Sequence, residues 1–282
     1  MRVLLLTATA MVAFAGNSVL CRLALVDSGV DPASFTVVRL LAAAATLSII
    51  LLVRGERPTV GMTAGSWRSA VTLMAYAVAF SWAYVRLDAA TGALILFGTV
   101  QCTMIVAGLL GGERPGGSEL AGWLLAAAGL IWLLLPGSAA PSLTGTVLMA
   151  IAGIGWGLYS LYGRGETRPV LATAGNFLRV LPFCLPLAAY AVAAGELTVR
   201  GFIVATIAGS LTTGIGYVLW YAALPSLSAL RAALVQLSVP AIATLGGLVL
   251  INEQPSTRLL VAGLAILGGI GFATWQAPAR RN

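Results

Sequence analysis

Polar side chains inside long apolar runs are costly in lipid and mark functional positions. This sequence has a short set of them: Asn17, Gln101, Asn176 and Gln236, with the cations Arg39, Arg179 and Arg231. Asn17 and Gln101 carry amides able to bind the amino or carboxylate group of a small solute. The ordinary role for such amides is an interhelical hydrogen bond of about 1 kcal/mol. Arg231 lies about a turn and a half into its run, where it can attract a carboxylate at an inner gate or snorkel to headgroups. Arg39 and Arg179 occupy matching places in the two halves of the chain. A direct ligand is not needed twice, so the pair reads first as structural, tethering helix ends, with Asp27, Asp31 or Asp88 in reach of Arg39.

The aromatic side chains form a second set. Tyr76, Phe80 and Tyr84 recur at intervals of four and share one helix face. Trp156 with Tyr159, and Tyr217 with Trp220 and Tyr221, do the same. A ring lining suits a planar or amphipathic solute through stacking, and cations through ring faces. The plainer alternatives are helix packing and, for Tyr84, Tyr162 and Tyr221 near run ends, an interfacial belt. Gly153, Gly155, Gly157 and Pro240 are hinge candidates, as are Pro182 and Pro186. Gly153 with Gly157, and Gly108 with Gly112, also have the small-residue spacing of close helix contacts.

Catalytic groupings are absent from the pattern. Every Asp and Glu falls at or beyond the end of an apolar run, and there is no histidine. Cys21, Cys102 and Cys184 lie in apolar stretches and read as small buried hydrophobes. No metal site or cofactor is expected, and the chain does not read as an enzyme. A membrane-embedded transferase is the remote alternative, since such chemistry wants clustered His, Asp or Cys. Without a titratable group at mid-membrane, coupling to protons is not expected either.

The elements that hold these residues follow from composition. Of 282 residues, 59% are hydrophobic and 9% charged, with a mean hydropathy of +0.97. Soluble domains carry about 25% charged residues, so lipid must replace water around most of this chain. That excludes a cytosolic enzyme, a nucleic-acid binder and a disulfide framework. The net charge of +7 is scattered between apolar runs, so nucleic acid is not a partner. A bilayer-spanning helix needs about 20 apolar residues. Ten runs approach that length: 2–26, 32–53, 66–86, 89–111, 118–136, 142–163, 169–194, 200–223, 226–251 and 257–277. They are long, continuous and rich in Leu and Ala, which favours helices over a barrel. Arg2 ahead of Val3–Gly16 has the look of a secretory leader, but the apolar run continues past it. Threading ten spans gathers nine arginines on the side of the termini against three on the other. The positive-inside rule then puts both termini in the cytoplasm.

The two halves resemble each other at a shift of 140 residues. Glu113-Arg114-Pro115 matches Glu253-Gln254-Pro255, and Arg39-Leu40-Leu41 matches Arg179-Val180-Leu181. Ala15-Gly16 falls near Trp156-Gly157, and Tyr84-Val85-Arg86-Leu87 resembles Tyr221-Ala222-Ala223-Leu224. Five spans per unit is an odd number, so the two copies enter the membrane in opposite orientation. Inverted repeats of this kind are a transporter architecture with its site near the midplane.

With Gly111-Gly112-Glu113-Arg114-Pro115 and Asn252-Glu253-Gln254-Pro255 each closing a fourth span, the chain resembles the EamA-type members of the drug/metabolite transporter superfamily. Within it the chain is most similar to the YddG-type exporters of aromatic amino acids. The resemblance implies an all-α integral membrane protein of ten transmembrane helices, built as two inverted five-helix repeats, 1–137 and 138–282. It also implies that spans 1, 3, 4, 6, 8 and 9 line a central cavity. The reading is of a monomeric carrier in the bacterial inner (plasma) membrane, exporting aromatic and other neutral amino acids and related metabolites by alternating access. Facilitated or exchange transport is expected. The solute-binding set is Asn17, Tyr76, Phe80, Gln101, Trp156, Tyr159, Tyr217, Trp220 and Arg231. An exchanger or importer of another small anionic metabolite, or a drug efflux carrier, is the alternative.

Overall fold

The computed structural model describes residues 2–110, 112, 116–135, 137, 140–164, 166–194, 196–227, 232, 235–236 and 238–275. Those residues are helical apart from short connections. In chain order the helices are α1 (Arg2–Arg22), α2 (Pro32–Val53), α3 (Trp67–Tyr84), α4 (Ala89–Leu110), α5 (Gly117–Leu134) and α6 (Leu143–Gly163). There follow α7 (Pro169–Ala194), α8 (Val199–Ile207), α9 (Gly216–Ala223), α10 (Ser238–Ile251) and α11 (Thr257–Trp275). A π-helical stretch, Ala208–Ile215, joins α8 to α9 without a break, and a shorter one, Leu23–Asp27, extends α1.

The helix starts are written locally. Asp31 accepts from the backbone N–H of Ala33 at 2.9 Å and Ser34 at 3.0 Å, with Pro32 behind it at the first helical position. Ser66 caps α3 through Ser69 N–H at 3.0 Å, and Thr198 caps α8 through Gly201 N–H at 3.0 Å. A bilayer core cannot solvate free backbone donors, so each cap replaces water the helix end would otherwise need.

Among the described residues, six stretches are long and apolar enough to cross a membrane: Val3–Asp27, Pro32–Val53, Ala89–Leu110, Leu143–Gly163, Pro169–Ala193 and Val199–Ser226. Three shorter apolar helices, Leu120–Leu134, Ser238–Ile251 and Thr257–Gly269, accompany them. Residues 228–231, 233–234 and 237 of the expected ninth run lie outside the described residues. Outward faces carry bare apolar side chains such as Leu4, Leu52, Val53, Leu185, Val192 and Leu264. Surface of that kind needs lipid against it.

The packing pairs come in corresponding sets. α3 packs on α6, and α9 on α1; α4 packs on α6, and α10 on α1. α2 packs on α7, and α5 on α11. Small residues permit the tightest of these contacts. A Cβ on Gly153 would stand 2.6 Å from Thr99 Cβ, and one on Gly157 2.9 Å from Thr103 Cβ, so α6 and α4 touch along that stripe. On the opposite side Gly155 meets the backbone of Thr72 and Tyr76. α6 runs unbroken through all three glycines, and Pro240 is buried near the described start of α10.

Candidate functional site

Six rings form a continuous column through the molecule. From Tyr84 the centroid separations are 4.7 Å to Phe80, 5.1 Å to Tyr76, 5.3 Å to Trp156, 5.5 Å to Tyr159 and 5.1 Å to Tyr221. The column begins at the end of α3, passes to mid-α6 and finishes at the end of α9. Phe14 stands beside it, edge-on to Trp156 at 5.1 Å and to Tyr217 at 5.8 Å. Both geometries are those that aromatic quadrupoles prefer. Tyr84 and Tyr221 are fully buried in this column, so neither belongs to an interfacial belt; Tyr162 is exposed.

At the middle of the column is a cavity of about 10 Å³, room for one water-sized body. Its wall is Phe14 and Asn17 of α1, Tyr76 and Phe80 of α3, Leu96 and Phe97 of α4, Trp156 of α6 and Tyr217 of α9. Five of the side chains singled out from sequence therefore meet here: Asn17, Tyr76, Phe80, Trp156 and Tyr217. Tyr159 and Trp220 are buried one layer behind, Trp220 edge-on to Phe14 at 5.8 Å. Gln101 is buried on α4 but is not part of the wall. Arg231 lies outside the described residues.

The polar part of the wall is centred on Asn17. Its Nδ2 donates to the Tyr76 hydroxyl at 3.0 Å. Its Oδ1 accepts from Arg39 Nη1 at 3.3 Å, Thr212 Oγ1 at 3.3 Å and Thr213 Oγ1 at 3.4 Å. Two neighbouring residues of a regular α-helix do not share a face. Thr212 and Thr213 do so because they lie in the π-helical stretch, a distortion frequent at functional sites.

Arg39 departs from its expected role. It reaches none of Asp27, Asp31 or Asp88. Its side chain is 0% exposed, donates to Asn17 Oδ1 and to Ala77 O at 3.2 Å, and lies 5.1 Å from the ring centre of Phe80. Phe35 at 5.4 Å and Tyr76 at 5.7 Å complete an aromatic cage. Two of these carboxylates are otherwise engaged: Asp31 caps α2, and Asp88 stands 3.7 Å from Arg22. Arg179 keeps the structural role. It donates to Ala64 O and Met62 O, both at 2.8 Å, stapling the 58–64 connection onto α7. Asn176 assists by accepting from Ser66 N–H at 2.9 Å.

Two contacts were not foreseen from sequence, although Gln236 and Glu253 were themselves singled out. Gln236 accepts from Trp156 Nε1 at 3.1 Å and fixes the indole of the wall. At the face where α1 and α3 end, Arg22 Nε donates to Glu253 Oε1 at 2.9 Å and Nη1 donates to Tyr84 O at 2.9 Å. The second oxygen of Glu253 accepts from Ala89 N–H at 2.7 Å, at the start of α4. Arg22 and Glu253 together thus tie α1, α3, α4 and the turn after α10, beside Tyr84, the first ring of the column. Asn252, at φ 54°, turns the chain back to present it; Asn is a residue that tolerates this left-handed conformation.

Comparison with known proteins agrees with this architecture. The profile of the EamA-like transporter family matches residues 1–135 and 143–275. The uncharacterized protein PA1977 of Pseudomonas aeruginosa is 52% identical over 271 residues, 96% of this chain and 94% of its own. A probable terminal-alkyne amino-acid exporter of Streptantibioticus cattleyicolor is 26% identical over 229 residues, 76% of this chain and 73% of that protein. A solved crystal structure, 20% identical, superposes with a TM-score of 0.67 over 98% of this chain and 99% of that one, which establishes likeness of fold.

Proposed function

The chain belongs to the EamA-like transporter family, and we propose that it exports aromatic and other neutral amino acids by alternating access, in the manner of the YddG-type carriers. The observation that carries this reading is the ring-lined midpoint cavity bounded by Asn17 and Tyr76, with apolar surface for a side chain and amide and phenol groups for the polar end. The described exporter of an amino acid among its relatives supports the same substrate class. The reciprocal packing pairs, α3 on α6 with α9 on α1 and α4 on α6 with α10 on α1, support two inverted repeats of five spans around that cavity. We place both termini in the cytoplasm and the protein in a bacterial inner membrane, on the arginine distribution.

The cavity of about 10 Å³ is too small for any amino acid, so this conformation is the closed one of the cycle. Opening toward the outside then requires release of the Arg22–Glu253 pair, which bolts that face above Tyr84. Opening toward the cytoplasm requires Tyr221 to leave Tyr159, whose carbonyl accepts its hydroxyl at 3.1 Å. No carboxylate of the described chain stands among the wall residues, so transport runs down the solute gradient.

Proteoliposomes loaded with labelled phenylalanine test this reading. Efflux rates are expected to be equal, within about twofold, with and without an imposed proton gradient. Strict dependence on the gradient would replace facilitation with coupling, and absence of protein-dependent efflux of any neutral amino acid would remove the substrate class.

A further inference from the structure

We propose that the cluster around Arg39 is the receptor for the carboxylate of the transported solute; this rests on the central cavity being the transport site. The argument is a surplus of donors. A guanidinium has five N–H donors and no acceptor. Among the described residues Arg39 makes two hydrogen bonds, both longer than 3.1 Å, and its Nε is buried without a partner. Neither of the described ion pairs includes it; both belong to Arg22. Asn17 Oδ1 has to serve Arg39, Thr213 and Thr212 together, while Thr212 shares its proton with Ala208 O at 2.7 Å. One amide oxygen cannot satisfy that many donors, whereas the two oxygens of a carboxylate offer about four lone-pair sites.

The charge argues in the same direction. A fully buried cation in lipid is expensive and persists where it has a partner or a task. The faces of Phe35, Tyr76 and Phe80 supply partial compensation, and three of its neighbours, Asn17, Tyr76 and Phe80, are wall residues of the cavity. When the cavity opens, a solute carboxylate takes over the donors that now converge on Asn17. Its ammonium, if it has one, faces the rings of Trp156 and Tyr217, and its side chain lies along the column. The site therefore selects carboxylates and discriminates against amines that lack one.

The test is a ligand series on the purified full chain in lipid nanodiscs, read as binding affinity from ligand-dependent thermal stabilisation. One series is phenylalanine, 3-phenylpropionate and phenethylamine; the other is leucine, 4-methylpentanoate and isopentylamine. In each series the carboxylate-bearing compounds are expected to bind at least about tenfold more tightly than the amine, the range of one charge-assisted hydrogen bond. Arg39→Gln is expected to remove that difference and Arg39→Lys to keep part of it. Should Arg39→Gln fail to fold, Thr212→Val with Thr213→Val is expected to weaken carboxylates about threefold while leaving amines unchanged. An amine that binds as tightly as its carboxylate partner overturns the receptor, as does a failure of both series to bind. Leucine binding as tightly as phenylalanine, with the carboxylate preference intact in both series, supports the receptor and counts only against the aromatic preference proposed above.

Discussion

With Tyr217, Trp156 is a side chain on which the central ring contacts converge. Its indole meets Phe14, Tyr76, Tyr159 and Tyr217 at 4.7–5.5 Å, and its N–H is held by Gln236. Each ring pair contributes about 0.5–1.5 kcal/mol beyond its buried area. Trp156→Leu keeps apolar bulk and removes the stacking surface. In transport assays it is expected to lower the affinity for phenylalanine by about tenfold and for threonine by less than about threefold; equal losses would mean that the rings pack helices and do not bind solute. The aromatic half of this site was legible from spacing, since Tyr76, Phe80 and Tyr84 announce one face of a helix. The polar half was only partly so. Arg39 stood out as an intramembrane cation, but of the Asp residues expected to meet it Asp31 caps a helix and Asp88 faces Arg22. Seven residues into α2 it lies about 10 Å from the helix start, beyond easy reach of the outer carboxylates. Phe14 carried no pattern of its own and Gln236 stood out only as an intramembrane amide, because their significance comes from partners 142 and 80 residues away.

Among the elements, the π-helical stretch between α8 and α9 and the turn after α10 do most to shape function. The first brings two consecutive threonines to one amide, a juxtaposition no helical periodicity announces. Gly209 in that stretch lies against the backbone of Arg39, so α2 and the π turn position each other. The second presents Glu253 to Arg22. Their side chains are 15% and 16% exposed, so the pair is more strongly coupled than an open surface ion pair. Glu253→Gln keeps the shape and removes the charge. Cys21, fully buried beside Arg22, is the natural reporter. In a Cys102→Ser, Cys184→Ser background, a membrane-impermeant maleimide is expected to label Cys21 about tenfold faster in Glu253→Gln than with Glu253 present. Unchanged protection would show that this contact does not hold the face closed. The Glu-x-Pro element was visible in sequence as half of a repeat. What it grips was not, since Arg22 lies 231 residues away near the end of an unremarkable apolar run.

At the scale of the whole molecule the class was legible before any coordinates. Apolar runs of membrane length and scattered arginines leave few alternatives to a helical membrane protein, and the family match agrees. The run lengths were a blunter guide to which helices meet bilayer criteria, because length and hydropathy say little about helices that carry charge or end within the membrane. Helices from both halves of the chain, α1, α3 and α4 with α6 and α9, line one cavity. The alternating-access mechanism proposed above predicts exchange between solute on the two sides of the membrane.

Counterflow tests that claim most directly. Proteoliposomes preloaded with unlabelled phenylalanine and diluted into a trace of labelled phenylalanine are expected to accumulate label transiently above its external concentration, with the membrane potential and proton gradient collapsed. A simple monotonic approach to equilibrium, identical with and without internal phenylalanine, would contradict a carrier with a single alternately exposed site.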